Sequence, residues 1–194
     1  MMDLKGSETE KNLLTSFAGE SQARNRYTFA AGLAKKEGYQ YIADVFQETA
    51  NQEKEHAERF FKYLKEGGAT PELKVEWDFP TGPLADTETN LRAAAAGEKY
   101  EYSEMYPGFA DIADKEGFST IAHTWRTIAK AETWHHERFI KLAEQIADGT
   151  IHKRGEKIKW RCSNCGYIHE GDCPPDKCPA CNHDKGYFFP HVFV

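Results

Sequence analysis

The chain has 194 residues, 40% of them hydrophobic and 29% charged, which suffices for one medium-sized core and a small second module. Its formal net charge of -6 argues against binding to nucleic acid or to anionic lipid surfaces. The longest apolar run, Ala93 to Ala96, is too short to cross a bilayer, and residues 1–11 lack the apolar stretch of a signal peptide. We therefore expect a globular cytoplasmic protein with no membrane or nucleic-acid partner.

The composition changes near Gly149, where helix-forming residues give way to a tail rich in Cys, Pro, Gly and aromatic residues. We predict a helical domain at 1–149, a linker at 150–156 and a small metal domain at 157–194. Four helices are predicted: Ser7 to Glu37 with Ser7 and Glu10 as a capping box, Tyr39 to Glu66, Thr87 to Glu116, and Phe118 to Asp148. The three prolines in residues 69–86 favour a long crossover between helices two and three of a four-helix bundle.

The two halves of this helical region repeat each other. A shift of 79 residues aligns 36–62 with 115–141, and 12 of the 27 positions are identical. Chance would give about two identities, because common residue types each make up less than a tenth of a chain. We expect an approximate two-fold axis that relates helices one and two to helices three and four.

Carboxylates interrupt the apolar stripe of every predicted helix. Helices two and four each carry an E-x-x-H motif in the steps of three and four that face a bundle core, and the other two helices contribute further glutamates. These inward-facing residues are Glu20, Glu53, His56, Glu98, Glu101, Glu132 and His135. The sequence therefore predicts five carboxylates and two imidazoles at one level of the bundle interior.

Burial of so many ionisable groups requires compensating charge. An isolated buried carboxylate costs several kcal/mol even after relaxation. The stripes offer only Arg24 as an inward-facing cation, and one guanidinium cannot neutralise five glutamates. Ferritin-like bundles build dinuclear metal sites from one glutamate on each of two helices and an E-x-x-H motif on each of the others. We therefore predict a pair of metal ions.

The register of the repeat predicts an irregularity in helix three. Tyr27 aligns with Tyr106 at the shift of 79, whereas Glu20 aligns with Lys99, one residue beyond Glu98. Helix three has thus gained one residue relative to helix one. A continuous helix absorbs an extra residue most easily as a π-bulge, which we expect between Glu98 and Tyr106.

The tail carries four cysteines in a metal-binding pattern, C-x2-C-x12-C-x2-C, formed by Cys162, Cys165, Cys178 and Cys181. Four thiolates in two knuckles suit tetrahedral coordination, and the spacing alone does not choose between zinc and iron. For such a tail by itself, a structural zinc ribbon would be favoured. The fifth cysteine, Cys173, lies outside the pattern, and we expect a free thiol there.

The whole chain resembles the rubrerythrins. The resemblance rests on residues 20–27 (ESQARNRY), both E-x-x-H motifs, and the cysteine knuckles 162–167 (CSNCGY) and 178–181 (CPAC). It implies a mainly α fold, with a ferritin-like bundle that holds two iron ions and a small β-rich, rubredoxin-like domain that holds one. The tail metal is then expected to be iron instead of zinc.

The resemblance also implies a role for each residue of the bundle site. Two carboxylates, Glu53 and Glu132, would bridge the irons. Three residues, Glu20, Glu98 and His135, would be terminal ligands. 

The remaining site residues are expected to respond to the state of the irons. Glu101 and His56 would alternate as ligands to one iron as its oxidation state changes, since ferric iron favours carboxylate more strongly than ferrous iron does. Tyr27 and Tyr106 would flank the site symmetrically and donate hydrogen bonds to ligands or to peroxide. Packing in the aromatic core is the simpler interpretation of both tyrosines.

The implied function is a non-haem di-iron peroxidase that reduces hydrogen peroxide to water in oxidative-stress defence. Electrons would pass through the tail iron from a separate rubredoxin or NADH-dependent reductase, since the chain has no dinucleotide-binding fingerprint. At 1.5 Å per residue the tail begins roughly 20 Å beyond the level of His135, so a head-to-tail homodimer or a higher homo-oligomer is expected. The alternative is a ferroxidase or iron-storage protein with a structural zinc ribbon.

Overall fold

The computed structural model describes residues 3–191, most of which form long helices. The helices are α1 (Glu8–Lys36), α2 (Gln40–Glu66), α3 (Thr87–Tyr100), α4 (Tyr106–Lys115) and α5 (Ser119–Ala147). A π-helix, Glu101–Met105, joins α3 to α4 without a break. The α3–α4 segment is therefore one long helix, and the predicted four-helix bundle is confirmed. Among the described residues, no helix has both the length and the apolar character needed to cross a membrane.

Local signals explain where the helices begin and end. The Ser7 hydroxyl accepts a hydrogen bond from the backbone N–H of Glu10, as an N-cap does. The Glu10 carboxylate does not complete the predicted capping box. It instead accepts from the backbone N–H groups of Gly6 and Thr70, and so ties the start of α1 to the chain that follows α2. Gly38, between α1 and α2, has a φ of 87°, the left-handed conformation that ends many helices.

The apolar core forms two layers, one on each side of the predicted metal level. One layer packs Tyr27, Phe46 and Phe139 together with the alanines of α1. The other surrounds Phe60 and Trp125. Charged ligands placed between two such layers are shielded from water on both sides.

The crossover between α2 and α3 lies along the bundle as an extended segment with no helix or strand of its own. Trp77 packs this segment against the bundle, because its ring lies edge-on against Phe109 of α4 with the centroids 5.4 Å apart. At its end, Asp86 caps α3 by accepting a hydrogen bond from the backbone N–H of Thr89.

The tail forms a three-stranded antiparallel sheet in the order β2-β1-β3, from β1 (Ile158–Cys162), β2 (Ile168–Gly171) and β3 (Phe188–Pro190). A short 3-10 helix, Lys185–Tyr187, precedes β3. The sheet packs around Trp160, which is fully buried. The predicted domain limits at 149/150 and 156/157 stay a prediction.

The tail rests on the start of α2, far from the middle of the bundle. The rings of Tyr41 and Phe189 stack with centroids 4.7 Å apart and planes 8° from parallel. The backbone approaches even more closely at Gly186, where an added Cβ would lie 1.7 Å from the carbonyl oxygen of Gly38. Only glycine fits at this contact, so residue 186 fixes how the tail docks.

Candidate metal centres

The four long helices bring all seven predicted ligands of the bundle to one level. Glu20 comes from α1, the two E-x-x-H motifs from α2 and α5, Glu98 from α3, and Glu101 from the π-helix. Five of the seven side chains are almost completely buried: Glu20, Glu53, Glu98, Glu132 and His135. His56 and Glu101 are partly buried, so the site is nearest to solvent at these two residues.

The ligand atoms form two overlapping sets, each within 4.8 Å of one another. The first set is Glu20, Glu53, His56 and Glu132, and the second is Glu53, Glu98, Glu132 and His135. Both sets contain the same two carboxylates, one from α2 and one from α5. Residues shared in this way can bridge two adjacent ions.

The two sets are related by the approximate two-fold axis that the repeat predicts. The Nδ1 atom of His56 lies 3.0 Å from a carboxylate oxygen of Glu132, and that of His135 lies 3.1 Å from one of Glu53. The distances within each E-x-x-H motif are also similar, 2.9 Å in α2 and 2.7 Å in α5. Each half of the bundle therefore supplies an equivalent ligand set.

The two tyrosines extend this symmetry across the bundle. The Tyr27 hydroxyl donates to Glu98, and the Tyr106 hydroxyl donates to Glu20. Burial, reinforced by the neighbouring carboxylates, raises the pKa of both phenols well above the ordinary value. Both therefore remain protonated donors, and each fixes the orientation of a glutamate on the other half of the bundle.

The predicted irregularity in helix three is confirmed as the π-helix Glu101–Met105. It begins three residues after Glu98 and carries Glu101 toward the same site. Glu101 belongs to neither of the two sets. His56, the residue expected to alternate with it, belongs to the first set. Burial, and then the charges of Glu98 and Glu132, raise the pKa of Glu101 well above its ordinary value.

The ionisable side chains of the bundle site are better suited to binding metal ions than to pairing with one another. Burial, and then the charges of Glu53 and Glu132, raise the pKa of Glu20 well above its ordinary value. Burial lowers the pKa of His56, but its contacts with Glu132 and Glu53 outweigh that effect and raise the pKa to about 10. Within the described residues, several buried ligand atoms have no hydrogen-bond partner: Glu20 Oε2, Glu53 Oε1, Glu98 Oε2, both Glu132 carboxylate oxygens and His135 Nδ1.

These unpartnered atoms fit a bound cation, which would accept all of them as ligands. His135 Nδ1 and a Glu132 oxygen lie 2.7 Å apart and yet lack the geometry of a hydrogen bond. The side chains therefore point toward common centres between them. Carboxylate oxygens and imidazole nitrogens are the donors that iron takes in non-haem sites.

The prediction that Arg24 faces inward is wrong, because this side chain is exposed. At 100° per residue, the buried face of α1 is centred toward Ala23 and Tyr27, which leaves Arg24 at its solvent edge. Arg26 is partly buried instead, and its charge slightly opposes the rise in the pKa of Glu101 that burial causes.

Gln52, which the sequence analysis did not single out, contacts a ligand of the site on the side away from the metal level. The Nε2 atom of His135 lies 3.0 Å from the side-chain oxygen of Gln52, a distance that suits a hydrogen bond from the imidazole. Such a bond would leave Nδ1 free to bind metal. The repeat gave no signal for this residue, because its counterpart in the other half is Ala131.

The four tail cysteines form the second candidate centre. The sulfur atoms of Cys162 and Cys181 are 3.8 Å apart, and those of Cys165 and Cys178 are 3.7 Å apart. A disulfide requires about 2.05 Å, whereas a tetrahedron with metal–sulfur bonds of about 2.3 Å has edges of about 3.8 Å. The four thiols thus fit one metal ion, and Cys173 is exposed and lies outside the group.

The rubrerythrin family model matches residues 11–143, and the model of the rubrerythrin rubredoxin-like domain matches residues 160–189. The chain belongs to the rubrerythrin family. It is 55% identical to a rubrerythrin of Nitratidesulfovibrio vulgaris, over 97% of this chain and 96% of that protein. It is 54% identical to a rubrerythrin of Porphyromonas gingivalis, over 96% and 92% of the two chains.

Solved structures agree with this family. Partially reduced nigerythrin, 34% identical, superposes with a TM-score of 0.62 over 96% of this chain and 87% of that one. A bacterioferritin from Desulfovibrio desulfuricans, 22% identical, gives a TM-score of 0.65 over 74% and 82% of the two chains, which shows the ferritin-like fold alone. As a rubrerythrin, the chain has a di-iron centre in its bundle and one iron in its rubredoxin-like domain, so the predicted fold and cofactors are confirmed.

Proposed function

We propose that this rubrerythrin reduces hydrogen peroxide to water at the bundle site, with electrons supplied through the iron of its own tail. The observation that supports this most strongly is the pair of buried ligand sets that share Glu53 and Glu132. Reduction of one peroxide to two waters consumes two electrons and two protons. When bound, adjacent irons supply those two electrons together, and the four-thiolate iron exchanges one electron at a time.

In this proposal the ligand roles follow the two sets. Glu53 and Glu132 would be shared by the two irons, and Glu20, Glu98 and His135 would be terminal ligands. His56 or Glu101, which lie on the more exposed side of the site, would complete the set that contains Glu20. Tyr27 and Tyr106 hold the two terminal glutamates in place through their hydroxyl groups. We also propose the division of the chain into a bundle at 1–149, a linker and a tail domain at 157–194.

We further propose a head-to-tail homodimer. Within one chain the tail contacts Tyr41, twelve residues before Glu53, which corresponds to about 18 Å along a helix that rises 1.5 Å per residue. A partner's tail could approach the site more closely beside Gln52 and Trp134, which flank His135, and Trp134 is 48% exposed. The electron donor would be a separate rubredoxin or an NADH-dependent reductase, in a cytoplasmic defence against oxidative stress.

The test is anaerobic reduction of the iron-loaded protein followed by addition of hydrogen peroxide. Both iron centres should reoxidise at a rate proportional to the peroxide concentration. Cys165→Ser, which alters the tail centre, should keep the first reoxidation of the bundle irons but lose steady-state turnover. Cys173→Ser is the matched control and should behave like the wild type, because this thiol lies outside the four-cysteine group.

Two results would contradict the proposal. Reoxidation by oxygen but not by peroxide, with ferric iron accumulating beyond the three bound ions, would favour the ferroxidase or iron-storage alternative. Unchanged turnover in Cys165→Ser would remove the tail from the electron path.

A further inference from the structure

A narrow cavity lies between the crossover and the bundle, and Glu101 is part of its lining. Its volume is about 60 Å³. We call it the crossover cavity, and the residues that define it are Gly19, Gln22, Arg26, Phe79, Gly97 and Glu101. Trp77, Asp78 and Tyr100 line both this cavity and an open cleft on the surface. The two spaces therefore adjoin each other, the cleft at the surface and the cavity beside Glu101.

Two glycines hold this space open. Gly19 and Gly97 each precede a predicted terminal ligand, Glu20 or Glu98, and correspond to each other in the repeat. Both lie in helices, where glycine is less favourable than alanine by about 1 kcal/mol. A Cβ at position 97 would have no neighbour within 4 Å, and one at position 19 would meet only Phe79, at 3.9 Å. Close packing therefore does not require either glycine.

Two of the side chains that line the cavity, Gln22 and Arg26, each carry an unpaired polar atom. Within residues 3–191, Gln22 Oε1 and Arg26 Nε are buried and have no hydrogen-bond partner. Leaving such groups unpaired costs about 1–3 kcal/mol each. Hydrogen peroxide both donates and accepts hydrogen bonds, so its chemistry matches an unpaired acceptor and an unpaired donor. A water needs about 10–15 Å³ of such space, so the cavity has room for a molecule with two oxygen atoms.

We propose that hydrogen peroxide reaches the bundle site through the crossover cavity, guided by Gln22 and Arg26 and delivered beside Glu101. This inference rests on the peroxide reduction proposed above. The cavity lies on the side of the bundle that carries the π-helix, next to Glu101, whose counterparts in the first half are not carboxylates. The same passage lets product water leave.

The test narrows the cavity without changing a metal ligand. Gly97→Leu should lower kcat/KM for peroxide by about tenfold or more, whereas Gly32→Leu, at an exposed glycine in α1, should change it by less than about twofold. A second measurement is the rate at which nitric oxide, a small neutral probe, binds to the reduced iron-loaded protein. Gly97→Leu should slow this binding by a similar factor. Gln22→Leu should slow peroxide but not nitric oxide, which needs no hydrogen bond.

The outcomes separate the route from the activity. If the wild type does not reduce peroxide but Gly97→Leu still slows nitric oxide, the proposed function fails and the route stands. If the wild type reduces peroxide and Gly97→Leu slows neither reaction, the route is wrong. Should leucine at 97 prevent iron loading, Phe79→Trp narrows the cavity from the crossover, outside the metal-bearing helices. Its nitric oxide rate must then fall, and an unchanged rate overturns the proposal.

Discussion

The two halves of the bundle differ by one residue, and this residue lies at the metal site. Up to the predicted terminal ligands the halves correspond at a shift of 78, as Glu20 does to Glu98. Beyond the site they correspond at 79, as Tyr27 does to Tyr106. The π-helix Glu101–Met105 absorbs the difference, because it takes up one extra residue without breaking the helix.

This difference separates the residues that hold the metal pair from the feature that makes the two metal positions unequal. The symmetric part supplies two equivalent ligand sets and the two crossed tyrosine hydrogen bonds. The asymmetric part adds Glu101, whose counterpart is Gln22 at one shift and Ala23 at the other. Neither of these is an ionisable ligand. We interpret the symmetric residues as those that hold the metal pair, and the inserted turn as the feature that makes one metal position different from the other.

The largest expected effect comes from removing a carboxylate that belongs to both ligand sets. Glu132→Ala should abolish binding of both irons, because this carboxylate belongs to both ligand sets. Glu20→Ala should weaken mainly one iron, because Glu20 belongs to a single set. Iron per chain, measured after loading and gel filtration, distinguishes the two. Glu104→Ala, at an exposed glutamate of the π-helix, is the control, and equal loss in all three variants would refute the shared role.

The next effect comes from making the halves equal. Deletion of the exposed Ser103 should convert the π-helix into regular α-helix, because it removes the one extra residue. Glu98 and Tyr106 would keep their places, whereas Glu101 would lose its present π-helical position and take the place that corresponds to Ala23 in the first half. We expect two irons still to bind and peroxide reduction to fall by about tenfold. Full activity in the deletion variant, with α-helix confirmed by crystallography, would show that the inserted turn is dispensable.

Much of this comparison could be predicted from the sequence, because it depends on periodicity and on the repeat. Helical spacing placed the seven site residues on inward faces, and the one-residue offset between Glu98 and Lys99 predicted the π-helix. The assignment of each ligand to a role stays a prediction. The prediction for Arg24 was wrong because an apolar stripe in the sequence locates the middle of a buried helix face better than its edges.

Other features depend on contacts between distant segments and had no local signal. Gly186 meets Gly38 only after the tail folds back onto α2. The crossover cavity exists only because an extended segment, with no periodic pattern, lies over α1 and α3. Sequence periodicity describes the faces of regular elements, so it cannot position an irregular segment against them.

A smaller effect tests whether the halves are energetically equivalent. Tyr27→Phe and Tyr106→Phe should each destabilise the protein by about 1–3 kcal/mol, since each leaves a buried carboxylate without its donor. The two losses should be similar, as the symmetric geometry requires. Urea unfolding of the iron-loaded protein measures them, with the partly exposed Tyr102→Phe as a milder control. A large loss in one variant and none in the other would show that the hydrogen bonds are equivalent in geometry alone.

The smallest expected effect concerns the carboxylates that join the halves. Glu116 accepts from the backbone N–H groups of Glu8 and Thr9 and from the Thr9 hydroxyl. In the part of the chain that the structure describes, Glu37 accepts from the backbone N–H and the hydroxyl of Thr87 alone. Glu116→Gln should therefore cost more than Glu37→Gln, with about 1 kcal/mol for each cap.

The pH dependence of the Glu116 variant sharpens this test. Burial raises the pKa of Glu116, but the hydrogen bonds from Thr9 and Glu8 outweigh it and lower the pKa below the ordinary value. A lowered pKa in the folded state stabilises the protein above the unfolded pKa, and this contribution is lost as the pH falls through the folded pKa. The urea midpoints of wild type and Glu116→Gln should thus converge in acid. A gap that stays constant from neutral to acidic pH would mean that the charge of Glu116 contributes nothing to these bonds.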